Sequence, residues 1–167
     1  MPGLLQIEDY SKALGDTALP RANGETTDLR AQVRARRQER LRGEAALHAE
    51  AVIWEPALHQ GVGGASIMQR QIRHLIELSA QDNVAIQVVQ AGIGTYPGMG
   101  SSFTMLSFAE RHFGDVVYLD SLTRSICLEE PDEVNAYNMT FEALQKVALD
   151  QEASVTLMGA IADDLSD

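Results

Sequence analysis

The order in which helical and strand-like patterns follow one another most restricts how this chain can fold. Two helical segments come first, followed by a strand, an amphipathic helix, several closely spaced strands and a helical C-terminal part. This order is neither the strict alternation of a doubly wound sheet nor the pattern of a helical bundle. It predicts an α+β fold in a single domain over residues 1–167, with an antiparallel-rich mixed sheet, helices packed on it and helical N- and C-terminal segments.

Three neighbouring segments carry the clearest local signals. Ala49–Trp54 and Val84–Val89 are short apolar runs rich in β-branched residues, which is typical of strands. Ser66–Ala80 lies between them and repeats its apolar residues at helical spacing. Ser66 and Gln69 also have the spacing of a capping box, in which each side chain satisfies a free backbone N–H at the start of a helix.

The rest of the chain follows the same two patterns. Apolar runs at 103–108, 115–120 and 124–128 lie close together with turn-like connections, which favours antiparallel strands. Pro2–Leu14 is predicted to form a short helix, and helical spacing resumes after Pro131 and continues toward the C-terminus.

The charge of the chain argues against direct binding to nucleic acid. There are 24 acidic and 13 basic residues, which give a formal net charge of −11. Proteins hold nucleic acids by neutralising phosphates with lysine and arginine, so a chain this acidic is repelled unless its cations form one patch. The alternative reading of the acidity is that it keeps the protein soluble.

The single cysteine, Cys127, bears on the compartment of the protein. One cysteine cannot form an intramolecular disulfide, which fits a reducing environment such as the cytoplasm. No apolar run approaches the roughly 20 residues that a membrane span requires. Because Cys127 falls within an expected strand, we predict a buried, unreactive side chain.

Metal and cofactor sites are not indicated. None of the histidines is paired at the spacing of a helical metal site, and Cys127 is distant from all of them in sequence; they are His48, His59, His74 and His112. We therefore interpret them as isolated surface residues and predict neither a metal nor a cofactor.

Two carboxylates are the candidates for catalysis. Glu55 and Asp120 each stand at the end of a predicted strand, where a pair of carboxylates can line a cleft and perform acid–base chemistry. No histidine, serine or lysine accompanies them in an obvious supporting motif, so an enzyme is the less favoured hypothesis.

An arginine-rich segment, predicted as a helix over Asp28–Arg42, has two interpretations. Arg34, Arg37 and Gln38 would share one face of this helix. That face could bind phosphates or an acidic partner, or it could fix the helix to carboxylates such as Glu55.

A series of short motifs runs in order along nearly the whole chain. They are Pro2–Ile7 with Tyr10 and Ala13; Arg34, Arg37 and Gln38; Glu55–Leu58; Gly63 and Gly64; Gln71–Leu75; Val84–Val88; Phe103–Leu106; Val117–Asp120; and Phe141 with Leu144, Ala148 and Ser154. In this order they resemble the C-terminal domain of actinobacterial WhiJ-type, antitoxin-like helix-turn-helix (XRE) transcriptional regulators, a domain of unknown function.

The sequence departs from that pattern at a few positions. Ile7 replaces the usual threonine, Pro56 interrupts a Glu-Ala-Ala-Leu motif, and Gln90 stands where proline is common. The DNA-binding helix-turn-helix that precedes the domain in such regulators is absent from this sequence, as expected either for a piece of a longer regulator or for a protein that has lost DNA binding.

The resemblance implies a regulatory domain that binds an effector or a partner and does not itself bind DNA. It also implies a homodimer and a small partner protein. A small-molecule effector could lie near the glycine-rich loop at 92–100, with Arg37, Glu55, Tyr96 and Tyr118 as its polar contacts. The alternative is a stand-alone small-molecule-binding protein or enzyme recruited from this fold in specialised metabolism.

Overall fold

Within the residues that the structure describes, the helices and strands follow one another in the order predicted from the sequence. The computed structural model describes residues 1–16, 33, 36–109, 114–121 and 123–165. Its helices are α1 (Glu8–Asp16), α2 (Ala65–Ser79), α3 (Pro131–Val147) and α4 (Gln151–Asp164), with short 3-10 turns at Gly3–Leu5 and Glu55–Leu58. Its strands are β1 (Ala49–Trp54), β2 (Val84–Val89), β3 (Thr104–Leu106), β4 (Val116–Asp120) and β5 (Ser125–Leu128).

These elements form two compact units. The first comprises Met1–Ala91 and Leu149–Asp167, and the second comprises Gly92–Ala148. The predicted α+β class is confirmed, with parallel and antiparallel pairing divided between two sheets. In the first unit β1 and β2 are parallel, from Ala49 opposite Val84 to Trp54 opposite Val89. In the second unit the order β3-β4-β5 is antiparallel throughout, as the close spacing of these runs predicts.

The core of the first unit is built on the buried face of α2. Met68, Ile72 and Leu75 recur at helical spacing and are fully buried. On β2 the alternate residues Ile86 and Val88 are equally buried and belong to the same apolar cluster. Burying each such side chain contributes about 1.5–3 kcal/mol, so this one helix face accounts for much of the stability of the unit.

The start of α2 differs from the prediction. Gly64, not Ser66, is the N-cap residue, and no side chain caps this end of the helix. Gly64 has a φ of 91°, a conformation that residues with a Cβ rarely adopt, so glycine fixes the start of the helix one residue earlier. The prediction of a capping box is therefore wrong. The Gln69 side-chain amide instead donates to the carbonyl oxygen of Ala162 on α4, at 2.9 Å.

The predicted helix over Pro2–Leu14 is interrupted at Gln6 and Ile7. Gln71 on α2, a fully buried polar residue, explains the break. Its side-chain amide donates to the Leu5 carbonyl at 2.7 Å and accepts from the Ile7 N–H at 2.8 Å. These backbone groups are thus bonded to a side chain rather than to a helical ladder.

The edge of β2 opposite β1 is closed by the chain that leads into α4. The N–H of Leu149 donates to the carbonyl of Val88 at 2.9 Å, and the Gln87 amide donates to the Leu149 carbonyl at 2.9 Å. The buried hydroxyl of Ser154 accepts from the Val88 N–H at 3.0 Å. The backbone groups of Val88 at this strand edge are therefore satisfied without a third strand.

In the second unit, α3 packs against the three-stranded sheet. Phe103 makes edge-on contacts with Tyr137 and Phe141 of α3, with ring centroids 5.0 and 6.5 Å apart. Cys127 is exposed on β5, so the prediction of a buried cysteine is wrong. Alternate side chains of a strand point to opposite faces, and Cys127 shares its face with the exposed residues Tyr118 and Asp120.

Most of the predicted arginine helix lies outside the described residues, including Arg34. Residues 36–39 are helical, and Arg37 is exposed to solvent. The carboxylate of Glu55 contacts Ala91 and His59 and not Arg37, so Arg37 does not fix the helix to Glu55; the part of this interpretation that concerns Arg34 lies outside the described residues.

Replacing Gln71 by leucine should destabilise the protein strongly. The substitution leaves the Leu5 carbonyl and the Ile7 N–H without their partner, which should lower the free energy of unfolding in urea by about 2 kcal/mol or more. The matched control is Gln60→Leu at an exposed glutamine, which should change it by less than about 0.5 kcal/mol. Equal effects of the two substitutions would show that Gln71 does not hold the N-terminal segment.

Candidate functional site

A surface cleft lies beside the outer face of α2, where the chain enters α1. Its volume is about 490 Å³, within the range of small-molecule sites. It is lined by Ile7, Glu8 and Asp9 from one side and by Arg70, Arg73, His74 and Glu77 of α2 from the other. We call it the α2 cleft.

The helix periodicity explains why four polar α2 residues line one cleft. Arg70, Arg73, His74 and Glu77 stand at i, i+3, i+4 and i+7, so they form a stripe on one face of α2. Gln71, one residue after Arg70, points to the buried side and bonds the backbone at Leu5 and Ile7. The bonds that hold the N-terminal segment therefore also bring it alongside the polar stripe.

The charges that line the cleft are largely paired. An Arg70 guanidinium nitrogen lies 2.7 Å from Asp9 Oδ2, with both side chains about half exposed. Arg73 contacts Asp163 of α4 at 3.2 Å, and Lys12 contacts Glu8 at 2.7 Å. Exposed ion pairs of this kind contribute about 0–1 kcal/mol each, so a ligand can displace them at little cost.

His74 differs from the other groups of the cleft. Its Nε2 atom is buried and has no hydrogen-bond partner among the described residues. Burial lowers the pKa of His74 below its ordinary value of 6.5; the nearby Glu77 carboxylate acts in the opposite direction, and Arg42 lowers the pKa further. The ring is therefore neutral at pH 7, and its buried Nε2 has no partner among the described residues.

A second, more polar cleft of about 360 Å³ lies at the turn between α2 and β2. Asp82 and Asn83 line it, together with His48, Glu50 and Gln151. The Asn83 amide is occupied, because it donates to the carbonyls of Leu41 and Leu47. Of the two clefts, the α2 cleft has the buried nitrogen without a partner.

Glu55, a predicted catalytic and ligand-binding residue, fastens two strand ends together. It follows β1, and its Oε2 accepts from the backbone N–H of Ala91, just beyond β2, at 2.7 Å. Its Oε1 lies 3.6 Å from His59 Nε2, and its side chain is only 17% exposed. These bonds give Glu55 a structural role, whatever else it does.

The other predicted site residues are divided between the two units. Arg37 belongs to the first unit with Glu55, whereas Tyr96, Tyr118 and Asp120 belong to the second. The four ligand contacts (Arg37, Glu55, Tyr96 and Tyr118) and the catalytic pair (Glu55 and Asp120) stay predictions. Tyr96 is half-buried in the glycine-rich loop, where its carbonyl accepts from the Met99 N–H at 3.2 Å.

Two of the predicted residues are brought together in the second unit. The Tyr118 hydroxyl donates to Ser125 Oγ at 2.6 Å, and Ser125 Oγ donates to Asp120 Oδ1 at 2.9 Å. The chain of bonds lies on the exposed face of β4 and β5. These hydrogen bonds can transfer a proton, and they also connect β4 to β5.

The α2 cleft was not predicted from the sequence. From the sequence, His74 is interpreted as an isolated surface histidine, and the other residues of the cleft are not assigned to a site. The signal that could have identified them is the i, i+3, i+4, i+7 stripe of Arg70, Arg73, His74 and Glu77. Among the described residues, no group of three or more His, Cys, Asp or Glu side chains could hold a metal ion.

Removing the Glu55 carboxylate should reveal its structural role. We expect Glu55→Ala to lower the free energy of unfolding by about 1 kcal/mol, because the Ala91 N–H loses its acceptor, and Glu55→Gln to retain most of the stability. Glu44→Ala, at an exposed turn, is the control for loss of a negative charge. Chemical denaturation that gives the same values for Glu55→Ala and Glu44→Ala would contradict this role.

The pH dependence of stability should report the burial of His74. Because the pKa of His74 is lowered in the folded protein, the unfolded chain binds this proton more readily. The free energy of unfolding should therefore fall as the pH drops below 6.5, and His74→Gln should remove part of this slope. Glu8, Asp9 and Glu77, which face the same cleft, are unchanged in this variant. His48→Gln, at an exposed histidine, should leave the slope unchanged; an identical slope in wild type and His74→Gln would refute the assignment.

Within the described part of the chain, no helix is both long and apolar enough to span a membrane. Residues 1–160 match the family described as "Domain of unknown function (DUF5753)". No match was found among curated proteins or among solved structures. Since the family match covers nearly the whole sequence, the chain belongs to this family of domains of unknown function.

Proposed function

We propose that this protein is a regulatory module that binds a small effector molecule in the α2 cleft. The observation that carries the proposal is the buried His74 Nε2, which has no partner among the described residues and belongs to a side chain that lines a cleft of ligand size. An unsatisfied buried nitrogen costs about 1–3 kcal/mol, and a bound molecule that bonds it would recover this energy.

The charges around the cleft favour an effector that carries both signs. Arg70 and Arg73 can bind a carboxylate or a phosphate, whereas Glu8, Asp9 and Glu77 can bind an amine. A molecule with negative charge alone would meet three carboxylates at close range. We therefore expect a small zwitterionic metabolite that replaces the Arg70–Asp9 ion pair with bonds of its own.

The position of the cleft suits a regulatory role. Ile7 is the last residue of the motif that Gln71 binds, and Glu8 and Asp9 directly follow it. In the regulators that this chain resembles, a DNA-binding helix-turn-helix precedes that motif. An effector between residues 7–9 and α2 would therefore act close to the connection with such a domain.

The wider role follows from the same resemblance. We propose that the chain is the regulatory domain of a cytoplasmic, antitoxin-like transcriptional regulator of the actinobacterial WhiJ (XRE) type, with a small partner protein. It would not itself bind DNA, because a net charge of −11 opposes contact with phosphates.

The alternative is a stand-alone small-molecule-binding protein or enzyme. One observation favours it, which is the hydrogen-bonded series Tyr118, Ser125 and Asp120 on the second sheet. A phenol, a hydroxyl and a carboxylate joined in this way could exchange a proton with a substrate on that exposed face.

Native mass spectrometry of the protein purified from an actinobacterial host tests the effector site. Wild-type protein should retain a noncovalent small molecule, which denaturing mass spectrometry of the same sample identifies. Arg70→Gln and His74→Asn should each lower its affinity by about tenfold, equivalent to about 1.4 kcal/mol. Asp82→Asn, in the second cleft, is the matched control and should retain the molecule.

The outcomes separate the two functions. Equal retention by wild type, Arg70→Gln and His74→Asn, or no retained molecule in any sample, would contradict the α2 cleft as an effector site. Loss of a retained molecule in Tyr118→Phe but not in Arg70→Gln would favour the alternative function on the second sheet.

A further inference from the structure

The outer edge of β5 presents backbone groups that no described residue bonds. The Ser121 N–H donates to the Arg124 carbonyl at 3.0 Å. Ser121 and Arg124 are therefore a hydrogen-bonded pair at the turn that connects β4 to β5. Hydrogen-bonded and non-hydrogen-bonded pairs alternate along an antiparallel ladder, so the next bonded pair is Leu119 with Ile126. The N–H and C=O groups of Ser125 and Cys127 therefore point away from β4, and both residues are exposed.

The apolar side of the sheet is also incomplete at this edge. Ile126 stands opposite Leu119 and shares the face of the sheet on which Val117 is fully buried. Val117 lies in the central strand, whereas Ile126 on the edge strand remains 42% exposed. A further strand beside β5 would cover Ile126 and would bond the free backbone groups at the same time.

The sequence of β5 is complementary to itself. Two copies of β5 can bond each other only through backbone N–H and C=O groups that point away from β4, and these belong to Ser125 and Cys127. In a symmetric antiparallel pair, this condition places the two-fold axis at Ser125, Ile126 or Cys127. Only the axis at Cys127 places Arg124 opposite an acidic residue, the partner's Glu130. The same register places Ile126 opposite the partner's Leu128, and the other two registers place Arg124 opposite an apolar residue.

The backbone permits this pairing as far as Glu130. Glu130 is extended, with φ −65° and ψ 127°, and α3 begins directly after it at Pro131. The pairing strand thus runs from Arg124 to Glu130, with a cation at one end and an anion at the other. Because the chain has a net charge of −11, two copies repel each other in general, and this local match of charges selects the edge at which they can meet.

We propose that a second copy of this chain pairs with β5 in this register, with the two Cys127 residues facing each other at the two-fold axis. The pairing joins two three-stranded sheets into one of six strands, β3-β4-β5 followed by the partner's strands in reverse order. It bonds the free backbone groups of Ser125 and Cys127 and covers Ile126.

Charge exchange tests the register by sedimentation velocity. Arg124→Glu and Glu130→Arg each place like charges at two symmetric positions, and each should weaken the dimer by about tenfold or more. The double substitution Arg124→Glu with Glu130→Arg restores opposite charges and should bring the dimer affinity back to within about threefold of wild type. Glu142→Arg, an exposed position on α3, makes the same charge change away from the edge and should leave the affinity unaltered.

Crosslinking at Cys127 gives a second measurement on unmodified protein. In the proposed register the two Cys127 Cα atoms lie about 5.5 Å apart, so dibromobimane should join the two thiols into a fluorescent dimer. Arg124→Glu should lose most of this product. Circular dichroism establishes that each variant is folded, and if one is not, the wild-type crosslink still decides the matter.

Three results would each overturn the proposal. They are a monomer at every concentration, a dimer whose affinity is unaffected by the charge substitutions, and a dimer that gives no fluorescent product at Cys127.

Discussion

Two hydrogen bonds of one buried side chain, Gln71, hold the N-terminal segment against the body of the first unit. A buried amide of this kind is stable only when its polar atoms are bonded, and here the partners are backbone groups of Leu5 and Ile7 that a continuous helix would have used itself. The interaction therefore breaks the N-terminal helix and fixes where the chain turns into α1. It also sets residues 7–9 beside the polar stripe of α2, so the cleft depends on it.

Hydrogen bonds from a side chain to a distant backbone group recur in the motifs that run along the sequence. The Gln38 amide donates to the Gln6 carbonyl, and the Ser154 hydroxyl accepts from β2. In each case a polar side chain fastens a backbone group that lies far away in sequence. Gln71, Gln38 and Ser154, three residues of the motifs that carry the family resemblance, thus have a structural role. The polar stripe of α2, which includes Arg73 and His74 of the Gln71–Leu75 motif, is the more informative feature for function.

The strands β1 and β2 could be predicted to the residue because a short β-branched run between polar turns is a local signal. Their parallel pairing was not predicted, although α2 connects the two strands and a helical connection is what parallel pairing requires. The start of α2 was misjudged because the conformation of Gly64 outweighs the side-chain pattern at Ser66 and Gln69. The cleft was beyond local reasoning, because Asp9 and Arg70 are 61 residues apart and only the fold brings them together.

The bond between Leu149 and Val88 has a consequence for how this architecture can change over time. The chain leaves the first unit just after β2 and rejoins it beside the same strand, so the second unit is an insertion whose two ends return to one place. An insertion of this kind can lengthen, shorten or be exchanged between genes while α4 still closes the edge of β2. Because both ends of the second unit meet at Val88 and Leu149, such a change would leave the packing of the parallel strand pair and its helices in place.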